Sequence, residues 1–260
     1  MVKLSICCPT IRPDNIKNLY NSIVNNFHQD FELILCGPKE PSISLPDNIV
    51  FIQDYGSPNR AQSIAAHHAT GQIITTMADD GIYLSKSISR AVIKLENWER
   101  THGNSYKHVV SYKYVEGNMP WWMMTIETGL LGYSLATTYL PDMAHIPNHW
   151  IHFNGFYMYR DYFNELGGFD CAYETPCVAS ADLAVRAQNN GCTTELMDEP
   201  ATVASHQPNL TGDHGPIHLA MSENDLPLIK HTYGNEGVIQ DIIEPDSWRK
   251  VPEKWQRRFA

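Results

Sequence analysis

The sequence predicts an α/β domain with a mostly parallel central sheet flanked by helices. Three observations point there. Short apolar runs of strand length alternate with helical patterns through the first half of the chain. The helical patterns carry their apolar residues on one side. Turn residues close the runs, as at Pro9, at Gly37 with Pro38, and at Gly71. Strand, helix, strand, helix in that order favours parallel strands covered on both faces.

Taken in order, "KLSICC" is a compact strand, and residues 9–13, with a proline at each end, form a rigid turn. Asp14 then stands as N-cap of a helix whose Ile16, Leu19, Ile23, Val24 and Phe27 share a face. "FELILC" and "NIVFIQ" are the next strands. The turn "YGSPN" leads into a helix with Ala61, Ile64, Ala65 and His68 on one side, stopped by Gly71. "QIITTM" is a fourth strand that ends at Asp79 and Asp80. Ser85 caps a further amphipathic helix through Ile88, Ala91, Val92, Leu95 and Trp98 to Gly103. Residues 117–150 are rich in aromatics and Met without clean periodicity, and read as an inserted segment over the site. "IHFNGFYMYR" resumes as a strand, "DYFNELGGF" is a short helix ended by paired glycines, "SADLAVRAQNNG" is a capped helix with Gly191 past its end, and "TTELMD" is a strand. Beyond His206 the chain is polar, expected to be irregular or in short helices, and finishes in "WRKVPEKWQRRFA".

Composition bounds the function. The chain has 260 residues, 43% hydrophobic and 18% charged, which suits one domain with one sizeable core. No basic leader or cleavage site opens it, and no window approaches the roughly 18 apolar residues of a membrane span, so a soluble, cytoplasmic protein is expected. A formal net charge of -10 argues against a dedicated nucleic-acid-binding module. Among six cysteines, the adjacent Cys7 and Cys8 sit in a strand, where side chains alternate, which fits a reduced compartment. Cys171, Cys177 and Cys192 lack zinc-site spacing, and His145, His149 and His152 have no cysteine or carboxylate cluster beside them.

In a parallel sheet, ligands bind outside the carboxyl ends of the strands. Residues 9–12, Gly37, Asp79 and Asp80 all fall there. Adjacent carboxylates repel unless a cation or hydrogen-bond donors compensate. A divalent ion, Mg²⁺ or Mn²⁺, is the simplest compensator, and such ions share their shell with a substrate's phosphates. The alternative is a solvated Asp-Asp-Gly turn or a helix cap.

The order and spacing of these segments resemble the family 2 nucleotide-sugar glycosyltransferases of the GT-A fold, from about Leu4 to His206. The residues that carry the resemblance are "SICCPTIRPDNIKNLYNSI", "SIAAHHATGQIITTMADDGIYL" and "LGGFDCAYETPCVASADLAVRAQNNG". The resemblance implies a metal-dependent, inverting transfer of a sugar from a nucleotide sugar, a UDP-sugar, to a hydroxyl acceptor. It also implies one GT-A-like domain, with 1–115 as the nucleotide-binding half, 116–210 as the acceptor-binding half and 211–260 as an extension. Pro9, Thr10 and Arg12 would line the base and ribose, with Gly37 and Arg60 also at the nucleotide. Asp79 would contact the ribose or a metal-bound water, and Asp80 would hold Mn²⁺ or Mg²⁺, its shell completed by His206. Asp182 or Glu174 would act as base, since Ala179, Ser180 and Ala181 stand where the family has a Glu-Asp pair. Trp121 and Trp122 would stack on the acceptor. That acceptor is a saccharide, a lipid head group, a protein or a modified nucleic-acid base. Two rivals are a nucleotidyltransferase, which lacks here its Gly-rich, Lys-bearing loop, and a non-catalytic nucleotide- or carbohydrate-binding protein.

Overall fold

A computed structural model describes residues 2–103, 105–116, 153, 155–204, 214–233 and 240–259. The chain starts with β1 (Leu4–Pro9), a 3-10 turn (Pro13–Asn15), α1 (Ile16–Asn26), β2 (Phe31–Gly37) and β3 (Ile49–Gln53). It continues through α2 (Pro58–His67), β4 (Ile73–Thr76), β5 (Gly81–Tyr83) and α3 (Ser87–Thr101) to β6 (His108–Tyr112) and β7 (Tyr114–Glu116). The second half contributes β8 (Gly155–Tyr159), α4 (Arg160–Glu165), α5 (Pro176–Asn189), β9 (Thr193–Leu196) and β10 (Thr202–Ala204). Two helices, α6 (His214–Ala220) and α7 (Leu226–Tyr233), are joined by a π-helical turn (Met221–Asp225).

Seven strands form the central sheet in the order β3-β2-β1-β4-β8-β6-β9. β8 runs antiparallel to β4 and β6, and the other pairs are parallel. From β1 the chain builds outward to β2 and β3 on one side and to β4 on the other. That reversal opens a crevice at the C-terminal ends of β1 and β4. A second sheet, β5-β10-β7, stands just past the end of β4.

The sheet is filled on both faces. Leu4, Ile6, Leu33, Leu35, Ile73 and Ile74 are fully or almost fully buried, beneath Ile16, Leu19 and Ile23 of α1 and Ile88, Ala91, Val92 and Leu95 of α3. Gly37 marks the tightest approach near the crevice: a Cβ there would lie 1.8 Å from the Thr10 carbonyl oxygen. Gly167 and Gly168, with φ of +84° and +76°, take the left-handed backbone after α4 that other residues resist.

Several expectations are corrected. Asp14 lies within the 3-10 turn, so the residue capping α1 is Asn15, whose side chain makes no capping bond. Val24 is 41% exposed, and His68 is an exposed C-cap. Lys86, in a left-handed conformation, precedes α3 in place of Ser85. The sequence predicts no strand at β5, β6 or β7, while the described part of the tail forms short helices, one of the two forms expected of it. Among the described residues no helix is long and apolar enough to cross a membrane.

Candidate functional site

The turn after β1 closes around one carboxylate. Asp79 Oδ2 accepts from Thr10 Oγ1 (3.0 Å), the Ile11 amide (2.8 Å) and the Arg12 amide (2.7 Å). Its Oδ1 accepts from Arg12 Nε at 2.8 Å and lies 2.7 Å from Nη2. Arg12 Nη1 reaches Asp80 Oδ2 at 2.8 Å. The guanidinium fork thus neutralises both acids, a geometry a lysine cannot reproduce. Asp79 is 2% exposed and so contacts little solvent. Burial pushes the Asp80 carboxyl above the usual range, and the adjacent Arg12 only partly opposes this. Burial also disfavours the Arg12 charge, but the two carboxylates more than reverse that.

Two adjoining compartments open beside this cluster. One, of about 680 Å³, is floored by the turn at 9–12, Gly37 and Asp54, with Pro58 and Ala61 of α2 as a wall. His214 and Ile217 of α6 and Arg258 of the tail lie across it. The other, of about 1070 Å³, has Asp80, Gln62, Tyr112, Tyr114 and Ser180 around it. Pro9, Arg12, Ala78 and His214 border both. Concave spaces that are mostly apolar with a few convergent polar groups take small molecules and cofactors.

Of the residues singled out in the sequence, Pro9, Thr10, Arg12, Gly37, Asp79 and Asp80 come together here. Three others are occupied elsewhere. Arg60 is 5% exposed, donates from Nε to Asp54 at 3.0 and 3.3 Å, and binds the Trp248 and Val251 carbonyls of the tail through Nη1. It holds Asp54 and the tail in place and does not line either compartment. Asp182 is fully buried between Arg186 Nε (2.8 Å) and the Tyr233 hydroxyl (2.5 Å). Arg186 in turn donates to the Leu166 and Gly168 carbonyls at 2.8 and 2.7 Å. Those are the surroundings of a core ion pair that ties α5 to α7. Glu174 accepts from Trp255 Nε1 and from Arg257 (2.8 and 3.2 Å), anchoring the C-terminal segment. Trp121, Trp122, His206, His145, His149 and His152 lie outside the described residues.

The metal expectation can be tested on the donor set. Among the described residues no three His, Cys, Asp or Glu side chains are grouped to hold an ion. Asp79 does not fit as a ligand, because both its oxygens are taken by donors of the turn. Asp80 fits as a single carboxylate ligand, its Oδ1 having no hydrogen-bond donor on another described side chain.

Sequence reasoning passed over Asp54, His214 and Arg258. Asp54 carried a usable signal, since it closes a strand just as Asp79 does. The other two arrive by the return of a distant tail, which periodicity cannot reveal.

No protein-family model matches the chain, and no curated protein matches it. Solved structures do. S. aureus TarS 1-349 in complex with UDP superposes with a TM-score of 0.52 at 14% identity, over 85% of this chain and 65% of that one. A second structure of S. aureus TarS 1-349 gives 0.52 at 15% identity, over 86% of this chain and 66% of that one. A longer TarS structure gives 0.52 at 14% identity, over 80% of this chain and 37% of that one. This chain therefore spans slightly under two thirds of TarS 1-349. At such identity the likeness is one of fold, and the fold is of the GT-A type.

Proposed function

We propose that the chain is a glycosyltransferase that moves a sugar from a UDP-sugar to a hydroxyl acceptor. One observation carries this reading: the Arg12–Asp79–Asp80 cluster sits between two compartments at the crevice of a GT-A-type sheet. The compartment at Gly37 and Asp54 receives the nucleotide, and the one at Tyr112, Tyr114 and Ser180 receives the acceptor. The likeness to TarS in complex with UDP supports the choice of nucleotide. Residues 1–115 are read as the donor half and 116–210 as the acceptor half, with Tyr112 and Tyr114 near their boundary, and 211–260 as an extension whose His214, Ile217 and Arg258 line the donor compartment.

The residues divide the work by position. Asp79 locks the turn so that the Thr10 and Gly37 backbones present a fixed surface to the nucleotide. Arg12 borders both compartments, and its cation is placed to meet negative charge on the departing diphosphate. Asp80 would hold Mn²⁺ or Mg²⁺, which when bound would supply further neutralisation of that leaving group. An inverting displacement needs a base facing the acceptor hydroxyl. Asp80 is the single carboxylate lining that compartment among the described residues, and Ser180 stands where the resemblance expects acids.

That same feature favours a second reading, a protein that binds nucleotide sugar without transferring it. Incubation with UDP-glucose, UDP-N-acetylglucosamine or UDP-galactose, Mn²⁺ and a panel of saccharide acceptors separates the two. Release of UDP, and a β-linked product by NMR, is the outcome expected of the inverting transferase. Saturable binding with no UDP release supports the binder, and no binding at all refutes both.

A further inference from the structure

Beside the acid pair lies a third open space of about 970 Å³ between α1 and the small sheet. Its lining on the helix side is unusual. Asn15, Asn18, Ser22 and Asn25, spaced by three and four residues, form one face of α1, with Asn21 beside them. Asn18, Asn21 and Asn25 are exposed, and the four carboxamides make no hydrogen bond to another described residue. Asn26 differs: it is buried, and its amide donates to the Ser22 and Tyr83 carbonyls at 2.8 and 3.2 Å, holding α1 to β5.

Asparagine is a poor helix former, because its side chain competes for backbone hydrogen bonds in other conformations. A helix that needed only solvation on this face would gain stability from alanine, lysine or glutamate there. Repeated carboxamides offer instead a row of paired donors and acceptors without charge. Opposite them stand Ile82, 41% exposed, and Val203 of the small sheet. No lysine or arginine lines the groove, whereas Asp79 and Asp80 close its inner end. A phosphate backbone would find no cation on these walls. A neutral polyol with hydroxyls on one face and C–H groups on the other matches both walls.

We propose that this groove is a saccharide-binding subsite, which holds a neutral oligosaccharide against α1 with its end at the Asp80 turn. Its role as the place where a glycan acceptor or product is retained rests on the reading of the adjoining cleft as a sugar-transfer site. The binding itself does not.

The test is a printed array of neutral and acidic oligosaccharides carrying single-stranded and duplex DNA spots as well, probed with the labelled full chain. The variant is N18A/N21A/N25A. The wild type is expected to bind one or more neutral oligosaccharides, and the variant to lose that binding at least tenfold. The melting temperature of the variant should stay level or rise, and its thermal shift with UDP should equal that of the wild type. Absence of wild-type binding to any neutral glycan overturns the proposal, as does equal binding by the variant or binding confined to acidic glycans or DNA. A wild type with no UDP shift but intact glycan binding would instead refute the donor site and leave the groove standing.

Discussion

At the scale of single residues, the Arg12 guanidinium decides whether two adjacent acids can exist at the tip of β4. Removing it in Arg12→Ala leaves Asp79 with backbone donors and the Thr10 hydroxyl but no countercharge. Breaking such a pair typically costs about 3–5 kcal/mol. A domain of this size loses roughly 2–4 °C of Tm per kcal/mol, so a fall of about 10 °C is expected by calorimetry. Arg12→Lys should recover only part of it, since a point charge cannot span both carboxylates. Asp182→Asn makes the contrasting case. It should lower the Tm by a similar amount, about 10 °C by the same arithmetic, while the shift produced by UDP persists. A variant with unchanged Tm and abolished transfer would restore Asp182 as the base. The acid pair was legible in the sequence because two adjacent carboxylates repel unless something compensates them. Arg12 was singled out as well, but its pairing with the acids was not legible, as 67 residues separate it from Asp79 and local spacing does not report a pairing of that reach.

Among elements, the ends of β1 and β2 form the floor of the donor compartment and tolerate no extra atom. Gly37→Ala places a methyl 1.8 Å from the Thr10 carbonyl, so the turn at 9–12 must move. Overpacking of this kind costs about 1–3 kcal/mol, and UDP affinity should fall by an order of magnitude or more in titration calorimetry. Gly215→Ala in α6, where no atom lies within 4 Å of the new methyl, is the control, and it should be neutral or stabilising. Equal behaviour of the two variants would contradict the close approach. Short apolar runs made β1 to β4 and β8 readable. β5 and β7 have three residues each, too few to show any period. The antiparallel course of β8 was also hidden, because side-chain alternation is the same in either direction. Direction is fixed by the path of the chain between elements.

Over the whole molecule, burial governs the chemistry of the thiols. Five of the six cysteines are buried and Cys177 is half-buried. Burial pushes the Cys36 and Cys192 thiols up to about 12 and Cys171 to about 11, from an ordinary value of 9.0. A raised folded value means the folded state holds these protons longer than the unfolded chain. Their stabilising contribution is therefore complete below the ordinary value and is lost as pH climbs toward the folded values. The Tm should decline between about pH 9 and about pH 11. A thiol reagent at neutral pH should reach Cys177 at most in the native protein and all six cysteines after denaturation. Rapid native modification of every cysteine would contradict the buried core. The α/β class with its mostly parallel sheet was legible from the order of elements, whereas the tail's return over the crevice was not, because it is set by contacts such as Arg60 with the Trp248 carbonyl.

The central claim is that a nucleoside diphosphate lies against the turn after β1 and the end of β2. Amide hydrogen exchange with and without UDP and Mn²⁺ reads this directly. Protection concentrated at residues 10–12, 36–37 and 54–61, with little change in α3 and β6, is the predicted footprint. Protection confined to other segments, or none at saturating UDP, would contradict the account.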